Sequence, residues 1–144
     1  MKVFELMTAN PACCTPDTPL SDVARLMLGY DCGEVPVVDN RDTMKLVGVI
    51  TDRDITCRSV AQDKNPLELK AGDCMTADCV TVAHDATLEQ CSRIMEQHQV
   101  RRLPVVNGQH ECQGIIAQAD LARQAPSQQV AGLLKEVSQP QASA

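Results

Sequence analysis

The chain has 144 residues, enough to bury a real core as one domain or as a tightly joined pair of half-domains. Its formal net charge is -6 and it carries one Phe, one Tyr and no Trp, which argues against nucleic acid, because nucleic-acid binding uses basic faces and stacking rings. No apolar run reaches membrane-spanning length and no signal-peptide core is present, so we expect a cytoplasmic protein without a membrane partner.

The first half of the chain predicts a strand, a helix, two strands and a second helix. An extended lead covers residues 12–15, and Thr18-Pro19 begins a helix with proline at its first helical position. Apolar residues at helical spacing continue until Gly29 to Gly33 ends the helix. Two strands are then expected at 34–39 and 45–51, followed by a helix over about 52–62.

The second half predicts the same order of elements. An extended segment covers residues 79–83, and Thr87 caps a helix with Gln90 at the spacing of a capping box. Strands at 102–107 and 113–117 follow, with a turn at Gly108 between them. Asp120 lies in the closing helix, and a further short helix of the tail is expected after Pro126.

These two halves are copies of one unit. The pairs at an offset of 68 residues are Met7-Thr8 with Met75-Thr76, Asp17 with Asp85, Leu20 with Leu88, and Val35-Pro36-Val37-Val38 with Leu103-Pro104-Val105-Val106. Gly48 with Gly114 and Asp54 with Asp120 follow at an offset of 66, because one loop is two residues shorter. We assign residues 1–63 to a first motif, 64–69 to a linker, 70–125 to a second motif and 126–144 to a carboxyl-terminal helix and tail.

The stretch Gly48–Asp54 joins an apolar strand to a helix and is the centre of the first copy. Thr51 is expected at the helix N-cap, where its hydroxyl accepts the N–H of Asp54. Such a helix start directs bare N–H groups at a ligand and is a ready anion site. The Asp54 carboxylate is also an acceptor for a diol such as the hydroxyls of a ribose. The alternative is that Thr51 and Asp54 form a capping box that only starts the helix.

The second copy changes this stretch to Gly114–Asp120, with Ala117 in place of Thr51. Alanine has no hydroxyl, so we expect the capping box to be lost there. Asp120 remains, and its charge also suits the first turn of a helix. An aspartate kept without its capping partner favours a ligand-facing role shared by both copies.

On these residues the chain resembles a tandem pair of CBS (cystathionine β-synthase) domains, often called a Bateman module, from about Val3 to Arg123. The resemblance rests on the repeated Met-Thr, the Val-Pro-Val-Val and Leu-Pro-Val-Val strands, and the paired Gly-to-Asp stretches. Within the family it is similar to small stand-alone bacterial modules of stress or hypoxic responses. This implies an α/β (α+β) fold of two β-α-β-β-α motifs packed with pseudo-twofold symmetry, and a homodimer.

The resemblance also implies a non-enzymatic sensor that binds adenosine nucleotides such as AMP, ADP, ATP or S-adenosylmethionine in clefts between the motifs and signals to an unknown partner. In the family's motif the aspartate holds the ribose, which carries over to Asp54 with Thr51 and in part to Asp120. The implied adenine contacts are Cys13, Cys14, Val35, Pro36, Thr81, Val82, Leu103 and Pro104. A phosphate needs cations, for which Arg53, Arg101 and Arg102 are the candidates, with Arg53 and Arg102 preferred. The alternative for Arg101 and Arg102 is a solvated pair at a strand start or an ion pair across the dimer.

The eight cysteines leave a second reading open. They lie at positions 13, 14, 32, 57, 74, 79, 91 and 112, without a Cys-x-x-Cys pair, and most occupy positions where an apolar residue would fit. We expect buried small hydrophobic side chains and no metal. The alternative is a redox- or metal-responsive stress protein that binds no nucleotide. An enzyme is not expected, because no nucleophile–base pairing and no phosphate-cradling glycine loop is found.

Overall fold

The computed structural model describes residues 1–124, and the expected tail helix lies outside them. The elements of the first part are α1 (Val3–Leu6), β1 (Thr8–Ala9), α2 (Leu20–Tyr30), β2 (Glu34–Val38), β3 (Leu46–Thr51) and α3 (Asp52–Arg58). Two 3-10 turns follow, at Val60–Gln62 and Pro66–Glu68. The remaining elements are α4 (Ala71–Cys74), β4 (Thr76–Ala77), β5 (Val82–Ala83), α5 (Leu88–His98), β6 (Arg102–Val106), β7 (Cys112–Ala117) and α6 (Gln118–Gln124). Mixed helices and strands in two sheets confirm the expected α+β class.

The chain folds into two compact units whose limits differ from those of the sequence repeats. The first-repeat unit contains Pro11–Cys79 and Gln109–Cys112. The second-repeat unit contains Met1–Asn10, Val80–Gly108 and, within the described residues, 113–124. Residues 1–10 therefore pack with the second repeat, although the repeat analysis of the sequence assigns them to the first motif.

The first-repeat unit contains a three-stranded sheet with the order β2-β3-β4. Strands β2 and β3 are antiparallel, with Glu34 opposite Thr51 and a register shift between Val37 and Val38. Strand β4 pairs antiparallel to β3 through Gly48 and Val49. On the other side of β2, Cys14 of the extended lead forms a parallel bridge. This pairing places the carboxyl end of β3, where Thr51 begins α3, beside the start of β2.

The second-repeat unit contains a four-stranded sheet with the order β1-β7-β6-β5. Strand β1 pairs antiparallel to β7, with Thr8 opposite Ile115, as β4 pairs with β3 in the other unit. Strand β5 pairs parallel to β6 through Val82 and Val105. The shared pairing confirms at the level of the backbone that both copies of the repeat fold alike.

Each unit has its own apolar core between the sheet and its helices. In the first-repeat unit Leu20 and Val23 of α2 pack with Val35, Val37 and Ile50, all at most 1% exposed. The corresponding residues of the second-repeat unit form a second buried cluster, which contains Leu88, Cys91, Met95, Leu103, Val105, Ile116 and Leu121. Cys91 stands where Val23 does in the first copy, as expected for a cysteine acting as a small apolar side chain.

Several helix boundaries differ from the sequence expectation. Pro19 is the N-cap of α2 and not its first helical residue. Helix α3 ends at Arg58, whereas a continuous helix to about residue 62 was expected. The backbone leaves the helical region at the C-cap Ser59, with φ -124° and ψ -78°, and the Ser59 hydroxyl donates to the carbonyl of Ile55. Short helices α1 and α4 were not predicted.

Positive backbone φ angles recur at the same places in both copies. The pairs are Asn10 with Asp78, Asp31 with Gln99, and Met44 with His110. Asp31 and Gln99 are the C-caps that end α2 and α5 in the left-handed conformation. Within the described residues, no helix is both long and apolar enough to cross a membrane.

Candidate functional site

Thr51 and Asp54 form a complete capping box at the start of α3. The Asp54 N–H donates to the Thr51 hydroxyl at 3.0 Å, and the Thr51 N–H donates to the Asp54 carboxylate at 3.0 Å. The structural alternative raised by the sequence is therefore present in the fold. Because this bond uses Oδ2 of Asp54, the other carboxylate oxygen is the one left for a ligand.

The first amides of α3 are already bonded, so the expectation of bare N–H groups at this helix start was wrong. Asp52 N–H donates to the Gly33 carbonyl at 3.1 Å, and Arg53 N–H donates to the Asp52 carboxylate at 2.8 Å. Asp54 N–H is taken by Thr51. Asp52 and Asp54 also place two negative charges in the first turn. A phosphate therefore finds no free amides at this end of α3.

The Asp54 side chain is half-buried and faces Thr76 of β4. The Thr76 hydroxyl lies 3.5 Å from each carboxylate oxygen of Asp54, a long contact that a ligand hydroxyl can displace. No ion pair found within residues 1–124 involves Asp54. Thr76 was marked as part of the repeat signature but not as a site residue, since its proximity to Asp54 depends on β3–β4 pairing.

Asp120 keeps half of the capping arrangement in the second-repeat unit. The Ala117 N–H donates to Asp120 Oδ2 at 2.8 Å, although alanine offers no hydroxyl in return. The expectation that the box is lost with Ala117 was therefore only half right, because it overlooked the carboxylate-to-backbone bond. The other oxygen, Oδ1, is paired with the guanidinium of Arg123 one turn later. Asp120 is buried, and both of its oxygens are engaged.

Gly48 and Gly114 have a structural reason for being glycine. A Cβ on Gly48 would lie 2.6 Å from the carbonyl oxygen of Thr76, and one on Gly114 would lie 2.7 Å from that of Thr8. Such distances are below any normal contact, so the short strands β4 and β1 can pair only with a glycine at these positions. The repeated Gly in the Gly-to-Asp stretch thus brings Thr76 close to Asp54.

The expected adenine-contacting residues are divided between the two units. Cys13, Cys14, Val35 and Pro36 lie in the first-repeat unit, and Thr81, Val82, Leu103 and Pro104 lie in the second-repeat unit. All but Thr81 are buried, and four of them, Cys14, Val35, Val82 and Leu103, are part of the apolar cores. The side chains of those four are thus committed to packing, which leaves backbone groups as their means of contacting a ligand.

The two arginines expected to bind phosphate are both exposed. Arg53 lies in the first turn of α3, next to Asp54, and Arg102 begins β6. Arg53 belongs to the first-repeat unit and Arg102 to the second-repeat unit. Only Arg53 therefore shares a unit with the capping box of Thr51.

A concave pocket of about 510 Å³ opens in the first-repeat unit. Its walls are formed by Leu46, Val47, Gly48, Asp78, Cys79 and His110. Burial, with the nearby charge of Glu34, raises the pKa of the Cys79 thiol to about 11, so this thiol is protonated at neutral pH. The volume lies within the range of small-ligand pockets. Apart from Gly48 of the repeat motif and Cys79, one of the eight cysteines, none of these residues was singled out in the sequence, because Asp78 and His110 come to line one pocket only through long-range folding.

Family models for the CBS domain match residues 3–59 and 71–127, one for each repeat. The chain belongs to the CBS domain family. It is 31% identical to Hypoxic response protein 1 of Mycobacterium tuberculosis over 97% of this chain and 96% of that protein. It is also 35% identical to the CBS domain-containing protein YhcV of Bacillus subtilis, over 90% of this chain and 89% of the relative.

Solved CBS structures have the same fold. A crystal structure of Hypoxic Response Protein I with two coordinated zinc ions superposes with a TM-score of 0.78 at 32% identity, covering 88% of this chain and all of that one. The complex of CBSX2 with AMP gives a TM-score of 0.73 at 30% identity, covering 86% and 95% of the two chains. Within the described part of this chain, no cluster of three or more His, Cys, Asp or Glu side chains is arranged to hold a metal ion.

Proposed function

We propose that the chain is a non-enzymatic regulatory module that binds an adenosine nucleotide at Asp54. The observation that supports this most directly is the state of its carboxylate. Oδ2 of Asp54 is fixed by the Thr51 N–H, while within residues 1–124 the contact of Oδ1 is the long one to Thr76. A fixed carboxylate with one available oxygen is a suitable acceptor for the hydroxyls of a ribose, and such charge-assisted bonds contribute about 1.5–3 kcal/mol each.

Asp54 is the better of the two aspartates for this role. The corresponding oxygen of Asp120 is paired with Arg123, and a ligand hydroxyl would have to displace that guanidinium. The AMP complex of CBSX2, at 30% identity, supports an adenosine nucleotide as the ligand class. Arg53, exposed beside Asp54, is the cation of the same unit that can meet a phosphate.

The regulatory output follows from the proposed ligand. We infer that the protein acts in the cytoplasm as a homodimer and that nucleotide binding shifts the dimer between two arrangements that an unidentified partner protein distinguishes. A ligand changes such an equilibrium only by binding one arrangement better than the other. Sedimentation velocity with and without AMP tests this step. A species that stays monomeric at all concentrations contradicts it.

The test of the binding site is calorimetric titration with AMP, ATP and S-adenosylmethionine of the wild type, Asp54→Asn and Asp120→Asn. Asparagine keeps a carbonyl that can accept the capping N–H, so both variants retain the helix start while losing the charge. We expect Asp54→Asn to bind at least about tenfold more weakly, roughly 1.4 kcal/mol, and Asp120→Asn to remain within about threefold of the wild type. Equal binding by wild type and Asp54→Asn contradicts the site, and a wild type that binds none of the three ligands contradicts the function.

A second candidate function is a metal-responsive protein. The observation that favours it is the pair of zinc ions in the structure of Hypoxic Response Protein I, which is 32% identical to this chain. Elemental analysis of the purified protein, with zinc titration of the metal-free form, decides it. Zinc bound in stoichiometric amount supports this candidate. If no zinc is bound after zinc loading, the metal-responsive function is rejected and the nucleotide-binding function is retained.

A further inference from the structure

Two thiols from distant parts of the chain meet inside the first-repeat unit. Cys13 lies in the extended lead of residues 12–15 and Cys112 begins β7, and each is only 6% exposed. The backbone brings them together, because the Asn10 N–H donates to the Gln113 carbonyl at 3.4 Å, next to Cys112, and the two thiols are in hydrogen-bonding contact. The Cys13 thiol in turn lies 3.3 Å from the carbonyl oxygen of Pro11, to which it can donate.

The backbone on both sides of this contact is held in place. Next to Cys13, Cys14 exchanges hydrogen bonds with β2, its N–H donating to Pro36 at 3.0 Å and its carbonyl accepting from Val38 at 2.8 Å. The Cys112 N–H donates to the carbonyl of Met44 at 2.8 Å, and Glu111 bridges Lys45. These backbone hydrogen bonds hold the segments that carry Cys13 and Cys112 in place within this unit.

The environment of Cys13 differs from that of two other buried thiols, Cys14 and Cys91. The hydrogen bond from Cys112, together with the charge of Arg41, lowers the pKa of Cys13 in spite of its burial. Burial raises the pKa of Cys14 and of Cys91 to about 12 in each case. Cys13 is thus the member of these three buried thiols that most readily forms the nucleophilic thiolate.

We propose that Cys13 and Cys112 are a redox pair that closes to a disulfide in the presence of a peroxide. The Cys13 thiolate attacks one peroxide oxygen, the O–O bond breaks, and sulfenic acid forms as the leaving oxygen takes a proton to become water. The Cys112 sulfur then attacks the Cys13 sulfur, the S–O bond breaks, and the Cys112 proton leaves with the hydroxyl as a second water. Two thiols are oxidised by two electrons and one peroxide is reduced to two waters. This chemistry does not rest on nucleotide binding.

The position of the pair gives the bond a structural effect. The chain passes between the two units after Asn10 and again after Cys112. Cys13 and Cys112 lie within three residues of those crossings, so a disulfide joins the two crossing segments to each other. It also closes a loop of about a hundred residues, which restricts the unfolded chain strongly. The oxidised protein is therefore expected to be more resistant to unfolding than the reduced one.

The experiment treats fully reduced, full-length protein with hydrogen peroxide, blocks the remaining thiols under denaturing conditions and maps disulfides by mass spectrometry. We expect a peptide linking Cys13 to Cys112 that disappears on reduction with dithiothreitol. Cys13→Ser and Cys112→Ala cannot form this peptide. Because Cys13→Ser lacks the thiolate that attacks the peroxide, we expect its Cys112 thiol to be oxidised at least about tenfold more slowly than in the wild type. Cys57→Ser removes the exposed thiol and is the matched control, in which the linked peptide should remain.

Circular dichroism establishes that each variant is folded, and the wild-type map tests the proposal even if a variant is not. Three outcomes overturn it: no linked peptide in the oxidised wild type, a link from Cys14 in place of Cys13, or an undiminished loss of two thiols in folded Cys13→Ser. An oxidised wild type that unfolds at the same urea concentration as the reduced protein contradicts the structural effect.

Discussion

Thr51 and Asp54 accept each other's backbone N–H groups, both at 3.0 Å. The aspartate proposed to hold a ribose therefore also holds the first turn of α3. A change at Asp54 acts on folding and on binding together, and only a comparison of variants separates the two effects.

Removing the Asp54 side chain should destabilise the protein. We expect Asp54→Ala and Thr51→Ala each to lower the free energy of unfolding by about 0.5–2 kcal/mol, because each leaves one N–H of the helix start without its partner. Asp54→Asn should lose less than either, because its amide oxygen can accept the same N–H. Urea denaturation followed by circular dichroism measures these differences. An Asp54→Ala variant as stable as the wild type shows that the capping bond adds nothing to stability.

Gly48 cannot carry a side chain without displacing β4. Gly48→Ala places a Cβ 2.6 Å from the Thr76 carbonyl oxygen, and we expect a loss of about 1–3 kcal/mol of stability as the strands move apart. Gly29→Ala is the matched control, because a Cβ there meets nothing within 4 Å on the exposed side of α2. That variant should gain up to about 1 kcal/mol, since alanine favours helix. Equal behaviour of the two variants in urea would contradict the close strand approach.

The Arg58 side chain, from α3, caps the carboxyl end of α4. One terminal nitrogen of its guanidinium donates to the carbonyls of Cys74 at 3.1 Å and Met75 at 2.6 Å, just before β4 begins. We expect Arg58→Ala to lose about 1 kcal/mol and, by loosening β4, to weaken nucleotide binding as well. Arg53→Ala, which removes an exposed arginine of the same helix, should leave stability within about 0.5 kcal/mol of the wild type. Thermal unfolding measures the stability of both variants. Calorimetric titration with AMP, ATP and S-adenosylmethionine measures nucleotide binding by Arg58→Ala.

The turn after β2 should make stability depend on acid pH. The hydroxyl of Thr43, at 2.5 Å, and then the backbone N–H groups of Asn40 and Lys45 hold the pKa of Asp39 below its ordinary value of 3.8. A carboxyl whose folded pKa is lowered stabilises the protein above its unfolded pKa, and this stability is lost as the pH falls through the folded value. Asp39→Asn should therefore be less stable than the wild type at neutral pH, and the difference should shrink at pH about 2. A difference that is constant with pH excludes the charge of Asp39 as its source.

The sequence was sufficient for the parts of the fold that depend on local spacing. The helix begun by Thr87 with Gln90 has both bonds of the expected capping box, and the strands around Pro36 and Pro104 lie within the expected ranges 34–39 and 102–107. The short helices α1 and α4 escaped notice because four residues give no periodicity and lysine is an unusual cap. These two are nevertheless copies of each other at the offset of 68, so the repeat itself could have revealed them.

The motif of the candidate site was visible in the sequence, but the partners of its residues were not. Asp54 and Thr51 were visible as a motif, whereas the approach of Thr76 depends on pairing between β3 and β4 across the linker. The guanidinium of Arg123 lies only one turn from Asp120, and helical spacing could have indicated that ion pair. The amides of α3 were expected to be free because the Gly33 carbonyl, which receives the first of them, is distant in sequence.

The exchange of opening segments between the repeats has a consequence for how this molecule can be divided. Residues 1–10 supply β1 to the sheet of the second repeat, and residues 71–79 supply β4 to the sheet of the first. A fragment that ends at the linker would lack β4, the third strand of its own sheet. It would still carry β1, whose partner β7 belongs to the missing half. Each half therefore depends on the other for a strand of its sheet, and a truncation at the linker leaves both sheets incomplete.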